Sequence, residues 1–134
     1  QILDLLKDLA EKSRSSLILI THDLGVVARY ADRVVVMYAG RVVEEAPARE
    51  LYANPRHPYT RGLMASVPRL DGDTAQRLVP SEGQPPNLAA LPPGCAFAPR
   101  CRHATDACRR ERPMLTEIAP RHQVACLLET AAHV

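Results

Sequence analysis

The sequence has no tryptophan and a single phenylalanine among 134 residues. Proteins that bind single-stranded nucleic acid stack bases on aromatic side chains, so a chain with so few rings is a poor base platform. The formal net charge is only +2, with the basic residues scattered, which removes the electrostatic footprint that a phosphate backbone selects. No apolar run approaches the ~20 residues that cross a bilayer. No export signal opens the chain, because Gln1-Ile2-Leu3-Asp4 already falls inside an amphipathic pattern, and there is no starting methionine. The expectation is a piece of a longer protein, with the missing export signal a weak pointer to the cytosol. Internal repeats are absent, and so is cysteine until residue 95.

What is present is unevenly distributed. Hydrophobic residues make up 46% of the chain, and most Leu, Ile and Val lie in residues 1–67. Residues 68–134 hold most of the twelve prolines and all four cysteines. Ile2, Leu5, Leu6 and Leu9 recur at helical spacing and predict an amphipathic helix ending near Ser13. Leu17-Ile18-Leu19-Ile20 is a short unbroken apolar run, the pattern of a strand buried on both faces in a parallel sheet. Asp23 is placed to cap a short helix over 24–31. Arg33 to Tyr38 and Arg41 to Glu45 read as a β-hairpin turning at Ala39-Gly40. A helix from Pro47 to Asn54, another from Thr60 to Val67, and a Pro-rich linker over 68–94 complete the pass. Helix, buried strand, helix and hairpin make an α/β order of elements followed by a loop-dominated tail.

The chemistry concentrates at two places. His22 follows the apolar run, and ligands of open α/β sheets bind beyond the carboxyl ends of strands, where an imidazole can bond a phosphate oxygen or orient a water. A strand-end histidine satisfied by backbone is the plainer alternative. His57, between Arg56 and Pro58, reads as an exposed loop histidine with a local role. Cys95, Cys101, Cys108 and Cys126 are spaced C-x5-C-x6-C-x17-C in a segment too Pro-rich to bury much apolar surface. A metal centre would order such a segment, since metal binding free energy becomes folding free energy. Four thiolates are the usual ligand set of a 4Fe–4S cluster. Structural zinc commonly uses cysteine pairs two to four residues apart, which are lacking here, although His103 or His122 can complete a mixed set. Two disulfides and plain thiols stay open as well. Arg100, Arg102, Arg109 and Arg110 would offset the negative charge of a cluster, or simply form a solvated face.

The string LILITHDLGVVARYADRVVVMYAGRVVE at 17–44 resembles the C-terminal portion of an ABC transporter nucleotide-binding domain. That resemblance makes His22 the switch histidine that contacts the ATP γ-phosphate. NPRHPYTRGLMASVPRL at 54–70 resembles the extension of oligopeptide and dipeptide importer ATPases. LPPGCAFAPRCRHATDACRRERPMLTEIAPRHQVACLL at 91–128 resembles their cysteine-rich tail. In those tails four cysteines hold a 4Fe–4S cluster, which implies Cys95, Cys101, Cys108 and Cys126 as its ligands, with zinc the alternative.

The resemblance implies three segments: residues 1–53 as the C-terminal part of an ABC ATPase domain, 54–93 as extension and linker, and 94–128 as a metal-binding tail. It implies a subunit that couples hydrolysis of ATP with Mg²⁺ to import of dipeptides, oligopeptides or nickel chelates. Its partners would be a second ABC ATPase subunit, two transmembrane permeases and, indirectly, a substrate-binding protein, with no nucleic acid. It would sit peripherally on the cytoplasmic face of the plasma membrane. The chain has no G-x-x-x-x-G-K-S/T phosphate loop, no Leu-Ser-Gly-Gly-Gln signature and no strand-end Asp-Glu pair. Because hydrolysis requires those groups, the chain alone is expected to be inactive toward ATP. The alternative of a different class is a standalone metal-binding or redox module on an ABC-like scaffold.

Overall fold

The computed structural model describes residues 2–66 and 86–130. Six short helices, one 3-10 turn and a four-stranded antiparallel sheet account for them. Helix α1 (Ile2–Ser13) matches the predicted amphipathic helix. Helix α2 (Leu24–Tyr30) starts at Asp23, whose carboxylate accepts the amide protons of Gly25 and Val26. These two donors are orphaned at any helix start, and the cap satisfies them.

Strands β1 (Arg33–Tyr38) and β2 (Arg41–Pro47) form the hairpin. Both turn residues have positive φ, 50° at Ala39 and 74° at Gly40. A two-residue turn of this hand matches the twist of its strands. The register slips between Val36 and Met37, which pair with Glu44 and Val42. Val43 is therefore the extra residue of a β-bulge. The bulge breaks the alternation of faces, so that Val43 and Glu44 are consecutive and both buried.

Pro47 ends β2 and caps helix α3 (Ala48–Ala53) rather than opening it. Helix α4 (Pro58–Ala65) begins two residues before the expected Thr60, with Pro58 at its first turn and His57 as N-cap. The predicted end of that helix at Val67, and the linker residues 68–85, lie outside the described residues.

Two expectations are corrected. Leu17-Ile18-Leu19-Ile20 is neither a strand nor buried; Ile18 and Ile20 are 87% and 93% exposed. A strand needs a neighbour to take its backbone hydrogen bonds, and among the described residues no strand pairs with this run. The sheet that does form is antiparallel, not parallel. Short elements punctuate the tail between its loops. It carries a 3-10 turn (Ala98–Arg100), helix α5 (Asp106–Arg110), strands β3 (Thr116–Ala119) and β4 (His122–Val124), and helix α6 (Leu127–Thr130). Strand β4 pairs with β2, giving the sheet order β1-β2-β4-β3.

The core lies where the hairpin, α3, α4 and the tail meet. Val36, Tyr38, Val43, Ala46, Leu51 and Phe97 form its centre, with Tyr59, Leu63 and Met64 packed against it. Phe97, the one phenylalanine, touches the rings of Tyr38, Tyr59 and His57 at centroid separations of 5.2, 5.5 and 5.8 Å. Tilted and edge-on rings at these separations attract through their quadrupoles, beyond the area they bury. Phe97 thereby fixes the cysteine tail onto the segment around His57-Pro58-Tyr59, the HPY segment.

A four-cysteine cavity as the candidate functional site

The tail approaches itself closely at Gly94. A Cβ built there would lie 2.4 Å from the Cys108 carbonyl oxygen and 2.6 Å from the Arg109 backbone, so only glycine fits. The contact lets the Cys95 amide donate to the Cys108 carbonyl at 2.8 Å. Two cysteines thirteen residues apart are thus brought side by side. Thr105 caps α5, accepting from the Cys108 amide at 3.4 Å and donating its hydroxyl proton to Cys108 Sγ at 3.3 Å. The 3-10 turn then swings Cys101 back, its amide donating to the Ala98 carbonyl. Cys126 directly follows the β4 edge, where the Ala125 amide donates to the Val43 carbonyl at 2.9 Å.

The outcome is one cavity lined by all four predicted cysteines, of about 300 Å³ counting the part open to solvent. Its other walls are His57, Pro58, Phe97, Ala98, Pro113, Leu127 and Leu128. None of the four cysteines is in a disulfide. Burial pushes the thiol pKa up at Cys95 and Cys126, so these sulfurs hold their protons in the metal-free chain. Among the described residues no group of three or more His, Cys, Asp or Glu is assembled so as to hold a single metal ion. Zinc at ~2.3 Å from each sulfur would need them gathered around one point. A four-iron cluster binds one thiolate per iron and spreads its ligands around a cage. The four cysteines supply an all-sulfur donor set, and the rest of the cavity lining is mostly apolar.

The histidines fall differently from expectation. His103 is exposed, and neither it nor His122 lines the cavity, so the mixed Cys/His set is not assembled. His57, expected in an exposed loop, is 1% exposed and forms part of the cavity wall. Its Nδ1 accepts the Tyr59 amide proton at 3.1 Å, so a neutral ring carries its proton on Nε2. Burial lowers its pKa to about 4.

Behind His57 sits a buried carboxylate that sequence reading missed. Glu44 has no exposed surface, and its Oε1 accepts the Arg56 amide and His122 Nε2, each at 2.7 Å. Its Oε2 accepts the His57 amide at 2.9 Å. One side chain so ties β2, the HPY segment and β4 together. The local signal was weak, since Glu44-Glu45 in a hairpin reads as a solvated edge.

His22 lies apart from this cavity, exposed, between Thr21 and the cap Asp23. Of the four arginines, Arg102, Arg109 and Arg110 are exposed, and Arg109 pairs with Asp106 at 3.2 Å. The Arg100 guanidinium lies 5.9 Å from the Phe97 ring centroid.

Residues 43–108, from the bulge of the hairpin to the third cysteine, match the family model described as the C-terminal region of oligopeptide/dipeptide transporters. The chain belongs to the oligopeptide/dipeptide transporter family. It is 54% identical over 127 residues to the oligopeptide transport ATP-binding protein OppD of Mycobacterium tuberculosis, covering 95% of this chain and 21% of that protein. It is 50% identical over 129 residues to the dipeptide transport ATP-binding protein DppD of Bacillus subtilis, covering 96% of this chain and 38% of that protein. The oligopeptide transport ATP-binding protein AppD of the same organism is 48% identical over 128 residues, with 96% and 39% covered. The chain thus spans about two-fifths or less of the length of these family members. No described helix is long and apolar enough to cross a membrane.

Proposed function

We propose that this chain is the C-terminal part of an ATP-binding subunit of a peptide-class ABC importer, and that its four-cysteine cavity holds a 4Fe–4S cluster. The observation that carries the first half is identity of about 50% to oligopeptide and dipeptide transport ATP-binding proteins over 95–96% of this chain. The second half is supported by four thiols from four separate stretches facing one apolar-walled cavity. Residues 1–53 belong with the ATPase domain, 54–93 form the extension and linker, and 94–128 form the cluster tail. The whole subunit would act with a second ATPase subunit and two permeases on the cytoplasmic face of the membrane.

Within that reading His22 contacts the ATP γ-phosphate. Its exposure, next to a capped helix start, leaves the imidazole free to meet a nucleotide held by other parts of the subunit. The chain itself carries no phosphate loop, so it contributes a sensor and not a nucleotide site. Cys95, Cys101, Cys108 and Cys126 would hold the cluster. A cluster so bound supplies covalent cross-links across the tail and one-electron redox chemistry. The chain's part is to hold the thiols apart at fixed positions, through Gly94, the Thr105 cap and the β4 pairing, and to keep water off them with Phe97, Leu127 and Leu128. Metal entry must displace protons held by the buried thiols, so loading is expected to improve as pH rises.

The deciding experiment is iron, acid-labile sulfide and zinc analysis of the chain purified without oxygen. Near four irons and four sulfides per chain is the expected result. One zinc without sulfide would replace the cluster by a zinc centre. Absence of both would defeat the metal reading and leave the transporter assignment standing on its own.

A further inference from the structure

Helix α6 starts directly after Cys126, and its Leu127 and Leu128 form one wall of the cysteine cavity. Four residues cannot hold a helix by themselves, since a single turn costs more entropy than its one or two hydrogen bonds return. Something else must seat it. Glu129, whose side chain is 14% exposed, accepts from Arg56 Nε at 2.7 Å and from Arg61 Nη2 at 2.9 Å. Both arginines belong to the HPY segment, whose His57 and Pro58 also line the cavity. Arg61 Nε also donates to the Pro55 carbonyl at 2.9 Å, which fixes its guanidinium. Arg56 is held from below as well, through its amide on the buried Glu44. The two walls of the cavity are therefore pinned to each other by one carboxylate gripped between two guanidiniums, seventy-three and sixty-eight residues away in sequence.

We infer that Arg56, Glu129 and Arg61 form a latch that seats α6 on the cysteine cavity, and that opening it controls access to Cys126. These are positioning residues; none lines the cavity. The latch concerns the same site as the proposed cluster, but its geometry stands whether or not iron is bound. A partly buried, charge-assisted pair of this kind is worth roughly a tenfold change in the population of the open state.

The test is the rate at which iodoacetamide alkylates each cysteine of the metal-free chain, read by peptide mass spectrometry. The variant is the double substitution Arg56→Gln, Arg61→Gln. Removing positive charge disfavours the thiolate at Cys126, so faster labelling there can only report opening. Replacing Glu129 would be ambiguous, because its carboxylate raises the Cys126 pKa. Cys126 is expected to label about tenfold faster in the variant, while Cys108, held by α5 and the Gly94 approach, stays near its wild-type rate. The single, conservative Arg56→Lys variant, with its far-UV circular dichroism unchanged, should fall between. Equal Cys126 rates in wild type and double variant would overturn the latch. A parallel rise at all four cysteines would overturn it too, since that is global loosening. The iron and sulfide analysis decides the cluster separately, so either idea can fail without the other.

Discussion

Glu44 shows how much one buried charge can organise. Its carboxylate is fully desolvated, a state tolerated only because three donors meet it. Glu44→Ala leaves the Arg56 and His57 amides and His122 Nε2 without their acceptor. Each stranded donor costs about 1–3 kcal/mol. We expect a loss of at least about 3 kcal/mol, measured by urea unfolding followed by circular dichroism. A loss below about 1 kcal/mol would mean that water replaces the carboxylate. His57 makes the pH prediction. Its pKa is about 4 in the fold, against an ordinary value of 6.5. Between these limits the unfolded chain binds more protons, so stability falls as pH drops from about 6.5 towards 4, by up to ~1.4 kcal/mol per pH unit. Glu44 and Glu129 oppose this shift and Arg61 adds to it, but burial dominates. His57→Asn keeps an N-cap acceptor for the Tyr59 amide and removes the titration. Its stability should be flatter over that window than the wild type's, as urea midpoints at several pH values would record.

At the scale of elements, the hairpin carries a local misfit. Ala39 sits at φ 50°, a left-handed conformation that an L side chain with a Cβ resists by about 1 kcal/mol. Ala39→Gly should therefore stabilise the chain by roughly 0.5–1 kcal/mol, visible as a rise in Tm. An unchanged or lowered Tm would place the strain elsewhere. The hairpin itself was legible in the sequence, because Val-rich runs flanking a Gly-containing dipeptide specify it locally. So was the Asp23 cap. The bulge was not, because nothing in Arg41-Val42-Val43-Glu44 marks which residue is extra; the demand for a buried Glu44 comes from His122 across the sheet. The tail strands were also illegible. Thr116–Ala119 and His122–Val124 are too short to show a period, and they exist because β2 offers an edge. The cavity was legible only as four cysteines gathered in one segment; nothing in their spacing signalled that His57 and α6 would wall them in.

For the whole molecule, apolar surface is divided between a core and an exposed band. Ile2, Leu5, Leu6 and Leu9 on α1 are 39–76% exposed, and Leu17 to Ile20 join them. The periodicity of α1 correctly gave its helix, whereas the expected burial of 17–20 depended on neighbours that periodicity cannot supply. Exposed extended apolar segments favour self-association. The chain on its own should elute above 14.7 kDa in size-exclusion chromatography, in a concentration-dependent manner. The pair Ile18→Lys, Ile20→Lys should shift it towards monomer without changing its Tm, and unaltered elution would clear this segment. The placement of the Glu44 partners also bears on how the chain emerges from the ribosome. His122 is synthesised 78 residues after Glu44. At about 5–20 residues per second, that interval lasts roughly 4–16 s. Throughout it the hairpin has no β4 beside it, and Glu44 stays hydrated. Translation must reach His122 before Glu44 can be closed in, so the nascent chain waits open while the first three of its four cysteines appear one at a time.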